Sequence, residues 1–318
     1  MSGRILVGVS SCLLGEPVRW DGGHRQDRYL CDVLGRFVEF VPVCPEAEAG
    51  MGIPREPVHL EGDLAAPRLV GNRSRTDWTA RMRRSCRRRV RELARLGLSG
   101  YVLKSRSPSC GLERVEVAAP GGGGRPRRAG VGVFAAELRR RLPLLPVEEA
   151  ERLGDPRLRE HFIVRVFAHH RVHAFFAARP GRGEIVAFHA REKYLLLAHR
   201  TEGYRELGRL VARVGDFSPA DFRDRYVRAY LDTLQHPATV RKHVNVLHHL
   251  LGYLRNSLGP AEREDILRAI DAYRAQEVPL IVPVTLLEHH LRIRQVTYLL
   301  DQEYLHPAPA ELALRYHA

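Results

Sequence analysis

Three cysteines, Cys12, Cys44 and Cys110, each follow a short apolar run with the look of a β-strand, at residues 5–9, 37–43 and 101–103. In a parallel sheet the carboxyl ends of the strands share one edge, and ligands collect in the crevice there. Three thiols distant in sequence therefore have a route to one site, and thiolates are ligands for zinc and iron. Each lies in a loop beside Ser, Pro or Gly, where backbone amides can approach sulfur. The other two cysteines read differently. Cys86 falls on the apolar stripe of a helix and Cys31 adjoins Leu30 in another, the setting of a thiol that packs as a small hydrophobe. Spacing alone leaves ligation and packing both open for the first three, because single, separated cysteines lack the signature of a Cys-x-x-Cys pair.

Polar residues beside these thiols could supply the rest of a reaction. Glu46, two residues after Cys44, is placed to move protons as a general acid/base. Ser107 and Ser109 flank Pro108 just before Cys110; either hydroxyl could orient water or substrate, or simply cap the turn. Lys104 ends a strand at the same edge and suits either a substrate oxygen or a structural ion pair. Arg19, Asp21 and Arg55, in loops rich in Gly and Pro, could form a substrate-binding wall or salt bridges that hold those loops.

The elements that would position these residues alternate between strand and helix up to about residue 142. A helical stretch around 25–34 follows the first strand, with Leu30, Val33, Leu34 and Phe37 at helical spacing. Residues 45–73 read as a long loop. A helix then opens with Thr76 or Asp77 as N-cap and closes at Gly97, its stripe made of Trp78, Met82, Cys86, Val90 and Leu93. A Gly121–Gly124 turn separates residues 114–117 from a last helix near 131–142. This order predicts an N-terminal α/β domain with a parallel, Rossmann-like sheet over 1–147. Pro143, Pro146, the acidic run 148–151 and residues 154–156 read as a linker. Beyond it, amphipathic patterns predict a mostly α-helical domain over 157–318, with helices near 157–178, 184–199, 203–213, 219–234, 238–257, 261–276 and 283–303.

The chain has 318 residues, enough for two domains, and five cysteines, an odd number that argues against a disulfide framework. The first apolar run is too short for a signal peptide and none is long enough to span a bilayer, so a soluble, cytoplasmic protein is expected. A net charge of +14 suits a phosphate-bearing partner, although Lys occurs only at 104, 193 and 242 and the rest is Arg, the bias of a GC-rich genome. The Arg-dense stretch 81–91 reads as a solvated helix face in preference to an RNA-binding one.

The blocks SSCLLGEPVR (10–19), PVCPE (42–46) and RSPSCG (106–111) occur in this order and resemble a bacterial family that includes thiouracil desulfidase, over residues 4–147. The resemblance implies a 4Fe-4S cluster held by Cys12, Cys44 and Cys110, with the fourth iron open to substrate, and favours Ser107 over Ser109 near the chemistry. The expected function is non-redox desulfuration of a thiolated pyrimidine or related thioamide, releasing sulfide. Its partner would be a small thiolated nucleobase or nucleoside; RNA is compatible with the charge, and the oligomeric state stays open. The blocks at 188–200, 236–254 and 278–291 resemble a helical domain of unknown function often fused to such cysteine domains. There His189, Lys193, His243, His248 and His289 could meet if their helices pack, with Asn245 and Glu288 as further polar groups. The competing reading is an RNA-binding or RNA-modification factor in which the cysteines hold a structural metal.

Overall fold

In the computed structural model, residues 4–119 and 125–317 are described. The polyglycine turn expected at Gly121–Gly124 lies outside them. The chain divides into two compact units, Met1–Leu158 and Arg159–Ala318.

Unit 1 is built on a four-stranded sheet of β1 (Leu6–Ser10), β2 (Glu39–Val43), β5 (Gly100–Leu103) and β8 (Val147–Glu149), in the order β2-β1-β5-β8 and all parallel. The chain leaves β1 toward β2 on one side, and β5 lies on the other. That reversal makes a switch point whose crevice opens at the carboxyl ends of β1 and β5. The expected α/β unit with a parallel sheet is therefore present.

Helix α2 (Thr79–Leu96) buries Met82, Cys86, Val90 and Leu93, the expected stripe, with Trp78 partly buried beside it. The stripe packs in one core with Tyr101, Leu103, Phe134 and Leu138, the last two from α3 (Val133–Arg141). Such burial contributes roughly 1.5–3 kcal/mol per large apolar side chain. Gly97 ends α2 in the left-handed conformation at φ 70°, as the pattern predicts. The N-cap position falls on Trp78 instead of Thr76 or Asp77, but the Asp77 carboxylate still accepts the Thr79 amide at 2.8 Å.

Three local expectations change. Residues 45–73 are not a plain loop: they carry the short helix α1 (Pro45–Glu48) and strands β3 (Val58–Glu61) and β4 (Arg68–Gly71). With β6 (Val115–Ala118) and β7 (Arg127–Gly130) these form a second sheet, order β4-β3-β6-β7, mixed in direction. Strands of four residues are too short to show a period above their Gly- and Pro-rich surroundings. The stretch 25–34 yields only a π turn (Tyr29–Val33) and a 3-10 turn (Leu34–Arg36). The acidic linker is a sheet edge: β8 pairs with β5, and Glu149 is buried with its carboxylate accepting the Leu112 amide at 2.7 Å. Acidic residues hid that strand because their charge, not their burial, dominates the pattern.

The helical unit runs through α4 (Pro156–Ala177), α5 (Arg182–His199), α6 (Thr201–Ala212), α7 (Pro219–Gln235), α8 (Val240–Leu254), α9 (Pro260–Arg274) and α10 (Ile281–Ile293). These match the expected helices, except that the last one stops at Ile293. Gln295 there has a φ of 54°, which a helix cannot accommodate, and a short α11 (Thr297–Leu300) follows. Inside the unit, Arg171 grips the fully buried Glu192 at 2.6 and 3.1 Å, and the Tyr230 hydroxyl donates to the same carboxylate at 2.8 Å.

Candidate active site

A cavity of about 320 Å³ opens at the carboxyl end of the parallel sheet, and Cys12, Cys44 and Cys110 all line it. Cys12 follows β1 in a 3-10 turn (Ser11–Leu14) whose Cys12 carbonyl accepts the Arg25 amide at 2.8 Å. Cys44 is the N-cap of α1, and its thiol lies 3.7 Å from the Val18 carbonyl. Cys110 is held by the turn after β5: the Ser107 hydroxyl accepts the amides of Ser109 at 3.2 Å and Cys110 at 3.1 Å. Gly132 presses on that turn, since a β-carbon there would sit 2.5 Å from the Ser109 carbonyl oxygen. Only glycine permits the approach.

The thiols feel one another. Burial and then the neighbouring Cys44 push the Cys12 thiol up to about 11. Burial raises Cys44 too, partly offset by a hydrogen bond from the Ala47 amide. Cys110 is raised well above the ordinary thiol range by burial, with Cys44 and Cys12 adding to the shift and a Ser10 hydrogen bond opposing it. Without a metal these are neutral thiols at pH 7, and metal binding would release their protons. Cys86 is also pushed up to about 12, but burial and the carboxylates of Glu137 and Glu48 do it, not other thiols. Cys31 points its thiol at the Leu13 carbonyl, 3.8 Å away. Both are outside the cavity wall.

No group of three His, Cys, Asp or Glu among the described residues closes on a single metal ion. Three thiols lining one cavity, none in a disulfide, are a donor set of the kind that iron–sulfur clusters and zinc both use. Cluster cysteines ligate different irons and need not share one ion.

Glu46 lines the same cavity and is held rigidly. Arg55 donates to its Oε2 from Nη2 at 2.5 Å and Nε at 3.0 Å, and the buried Ser109 hydroxyl donates to Oε1 at 2.8 Å. Arg55 also lines the cavity, but its other donors go to the carbonyls of Gly52 and Val18 at 2.9 and 3.0 Å. Ser107 is on the wall, whereas Ser109 stands behind Glu46. Lys104 is on the wall, with Nζ 2.9 Å from the Ser105 carbonyl and 3.4 Å from Glu151. Arg19 is on the wall, paired at 3.3 Å with an Asp21 that is itself exposed and off the wall.

Sequence reasoning missed three residues here. Ser10 accepts the Lys104 amide at 3.0 Å, tying the ends of β1 and β5 together beside Cys110. Trp20 contributes a half-exposed indole to the wall, and Arg106 a guanidinium. Ser10 was legible only as the first residue of the Ser-Ser-Cys run; nothing local marked the other two.

The helical unit's polar residues do not converge as the sequence suggested. His189 and His243 each bond a tyrosine hydroxyl, Tyr226 at 3.1 Å and Tyr304 at 3.0 Å. Lys193 and Asn245 instead share a cavity of about 790 Å³ with Arg205, Arg241 and Lys242. On α2, Arg89 pairs with Glu48 and Glu92 and Arg83 donates to the Pro67 carbonyl, consistent with a structural helix face.

Fold and site together define an α/β domain carrying a thiol-lined crevice at a switch point, joined to a helical domain. The profile described as 2-thiouracil desulfurase matches residues 7–150, and that of a protein of unknown function (DUF1722) matches residues 193–309. The chain is 33% identical over 155 residues to the uncharacterized protein YbgA of Escherichia coli, spanning 48% of this chain and 92% of that protein. It is 29% identical over 111 residues to the uncharacterized protein YbbK of Bacillus subtilis, spanning 33% and 73%. Among solved structures it is similar to the [4Fe-4S]-dependent thiouracil desulfidase TudS, at 30% identity over 48% of this chain and 95% of that one, with a TM-score of 0.40. The chain belongs to the 2-thiouracil desulfurase family, extended by a DUF1722 domain. Among the described residues no helix is long and apolar enough to cross a membrane.

Proposed function

We propose that this protein removes sulfur from a thiolated pyrimidine or related thioamide, with water as the other substrate and sulfide as the product. The observation that carries the reading is the facing of Cys12, Cys44 and Cys110 onto one cavity beside Glu46. The three cysteines would hold a 4Fe-4S cluster, which supplies a thiophilic Lewis acid for the thiocarbonyl sulfur.

The reaction balances without electrons: C=S and H2O become C=O and H2S. Glu46, fixed by Arg55 and Ser109, accepts a proton from the attacking water and returns it to the departing sulfur. Arg55 thus acts as a positioning residue for Glu46 more than as a substrate ligand. Lys104 and Arg19 offer cationic donors to substrate oxygens, and the Trp20 indole offers a flat face for a pyrimidine ring. Ser107 keeps the Cys110 loop closed while its oxygen faces the cavity. Asp21 contributes by steering Arg19.

Anaerobic reconstitution with iron and sulfide, followed by sulfide-release assays on free thiobases and thiolated nucleosides, tests the reading. Brown protein that releases sulfide with one carbonyl product per turnover supports it. A colourless protein that binds zinc and never releases sulfide overturns it.

A further inference from the structure

Lys104 is the sole lysine on the thiol cavity wall, and one carboxylate, Glu151, contacts the segment that carries it. Glu151 lies just past β8, the strand that pairs with β5, so the two segments emerge side by side from the sheet. Its Oε1 is 3.4 Å from Lys104 Nζ, its Oε2 accepts from Arg106 Nη2 at 2.8 Å, and its amide donates to the Ser105 hydroxyl at 3.4 Å. One residue therefore touches three consecutive positions of the wall. Arg106, the middle of the turn between Lys104 and Ser107, has a φ of 58°, a conformation that side chains disfavour. Behind the wall a second cavity of about 420 Å³ includes Glu151 and shares Arg19, Lys104, Ser105 and Arg106 with the first. The Lys104 ammonium thus borders two spaces, donating to the Ser105 carbonyl at 2.9 Å and facing Glu151 as its anion at 3.4 Å.

We propose that Glu151 is a positioning residue that sets the direction of Lys104, and with it the affinity of the cavity for the oxygen-bearing edge of the substrate. Its role in affinity rests on reading this cavity as the desulfuration site; its grip on Lys104 does not. Charge, not shape, does the holding, because two cations share the carboxylate. Glu151→Gln should therefore behave like Glu151→Ala.

The test uses the cluster-loaded full chain and its three lysines. N-hydroxysuccinimidyl acetate labelling, read by mass spectrometry, compares acetylation of Lys104 with that of Lys193 and Lys242 as internal references. Glu151→Gln and Glu151→Ala are expected to speed Lys104 labelling about threefold against the references, the scale of a partly exposed ion pair. In sulfide-release kinetics both variants should raise KM by about threefold with kcat nearly unchanged. In a Lys104→Met background neither should add to the effect of that change. Unchanged labelling in both variants, a Gln variant that behaves as wild type, or a KM effect that persists with Met at 104 overturns the proposal. If the wild-type protein releases no sulfide from any thiobase, the desulfuration reading falls, and the labelling ratio still decides whether Glu151 holds Lys104.

Discussion

The thiols of unit 1 and the imidazoles of the helical unit are buried by the same process and end in opposite arrangements. Burial drives a thiol up and an imidazole down, so Cys12 at about 11 and His199 at about 4 are both neutral at pH 7. Three of the histidines have found partners: His189 and His243 bond tyrosines, and His199 bonds the His236 carbonyl at 2.8 Å. The three thiols instead face a shared cavity, where Cys44 helps to raise Cys12 and both help to raise Cys110. Buried polar groups with partners stabilise a packing, whereas buried groups gathered around a space are placed to receive something.

The sharpest way to break this comparison is to remove the gathered groups one at a time. Cys12→Ser, Cys44→Ser and Cys110→Ser should each abolish sulfide release and cut bound iron, measured by elemental analysis after anaerobic reconstitution. Cys31→Ser and Cys86→Ser should keep both, the second at a stability cost of about 1–3 kcal/mol for a buried hydroxyl, read by urea denaturation. Iron retained by all three cavity variants would remove the thiols from the site. Next in size, Glu46→Gln is expected to lower kcat by about 10²–10⁴-fold while iron content stays at the wild-type level. A variant that turns over normally would leave Glu46 as an anchor for Arg55 and nothing more.

The parallel sheet, the stripe of α2 and the long helices were legible because period and length carry them. So was the convergence of Cys12, Cys44 and Cys110, which follows from strands that point one way. The burial of Glu149 and the partner of Arg55 were not legible. A glutamate in a proline-rich acidic run gives no sign that its carboxylate will be buried against the Leu112 amide. For Arg55 the sequence left a substrate wall and a loop-holding salt bridge both open, and did not show that its partner is the carboxylate nine residues back. Contacts of that kind depend on how a loop returns, which neither periodicity nor local propensity encodes.

In the helical unit the partnered groups should matter for stability. Glu192→Ala takes the nearer of two carboxylates from the part-buried Arg171 guanidinium, which keeps Glu303 at 3.4 Å, and leaves the Tyr230 hydroxyl without its acceptor. The expected loss is about 3 kcal/mol, the low end for a broken buried pair because Glu303 remains, seen as weaker hydrogen-exchange protection of α4, α5 and α7. Protection equal to wild type would show that the network contributes little.

Per pH unit the smallest effect, and the one that spreads furthest, is acid sensitivity. Fourteen of the sixteen histidines lie beyond residue 150. Burial pulls His161 and His169 down to about 3, and His189 and His199 down to about 4. Each of these takes up a proton on unfolding once the pH falls below about 6.5, the value of a free imidazole. Stability is therefore full above that value and declines as pH drops toward 4 and then 3, by up to about 1.4 kcal/mol per pH unit for each histidine. Hydrogen exchange between pH 7 and pH 4.5, corrected for the intrinsic rate, should show α4 and α5 losing protection before β1 and β5 do. The two histidines of unit 1, His24 and His59, are not buried, so its sheet lacks this drain. Equal loss of protection in both units would mean that the imidazoles do not set the acid limit.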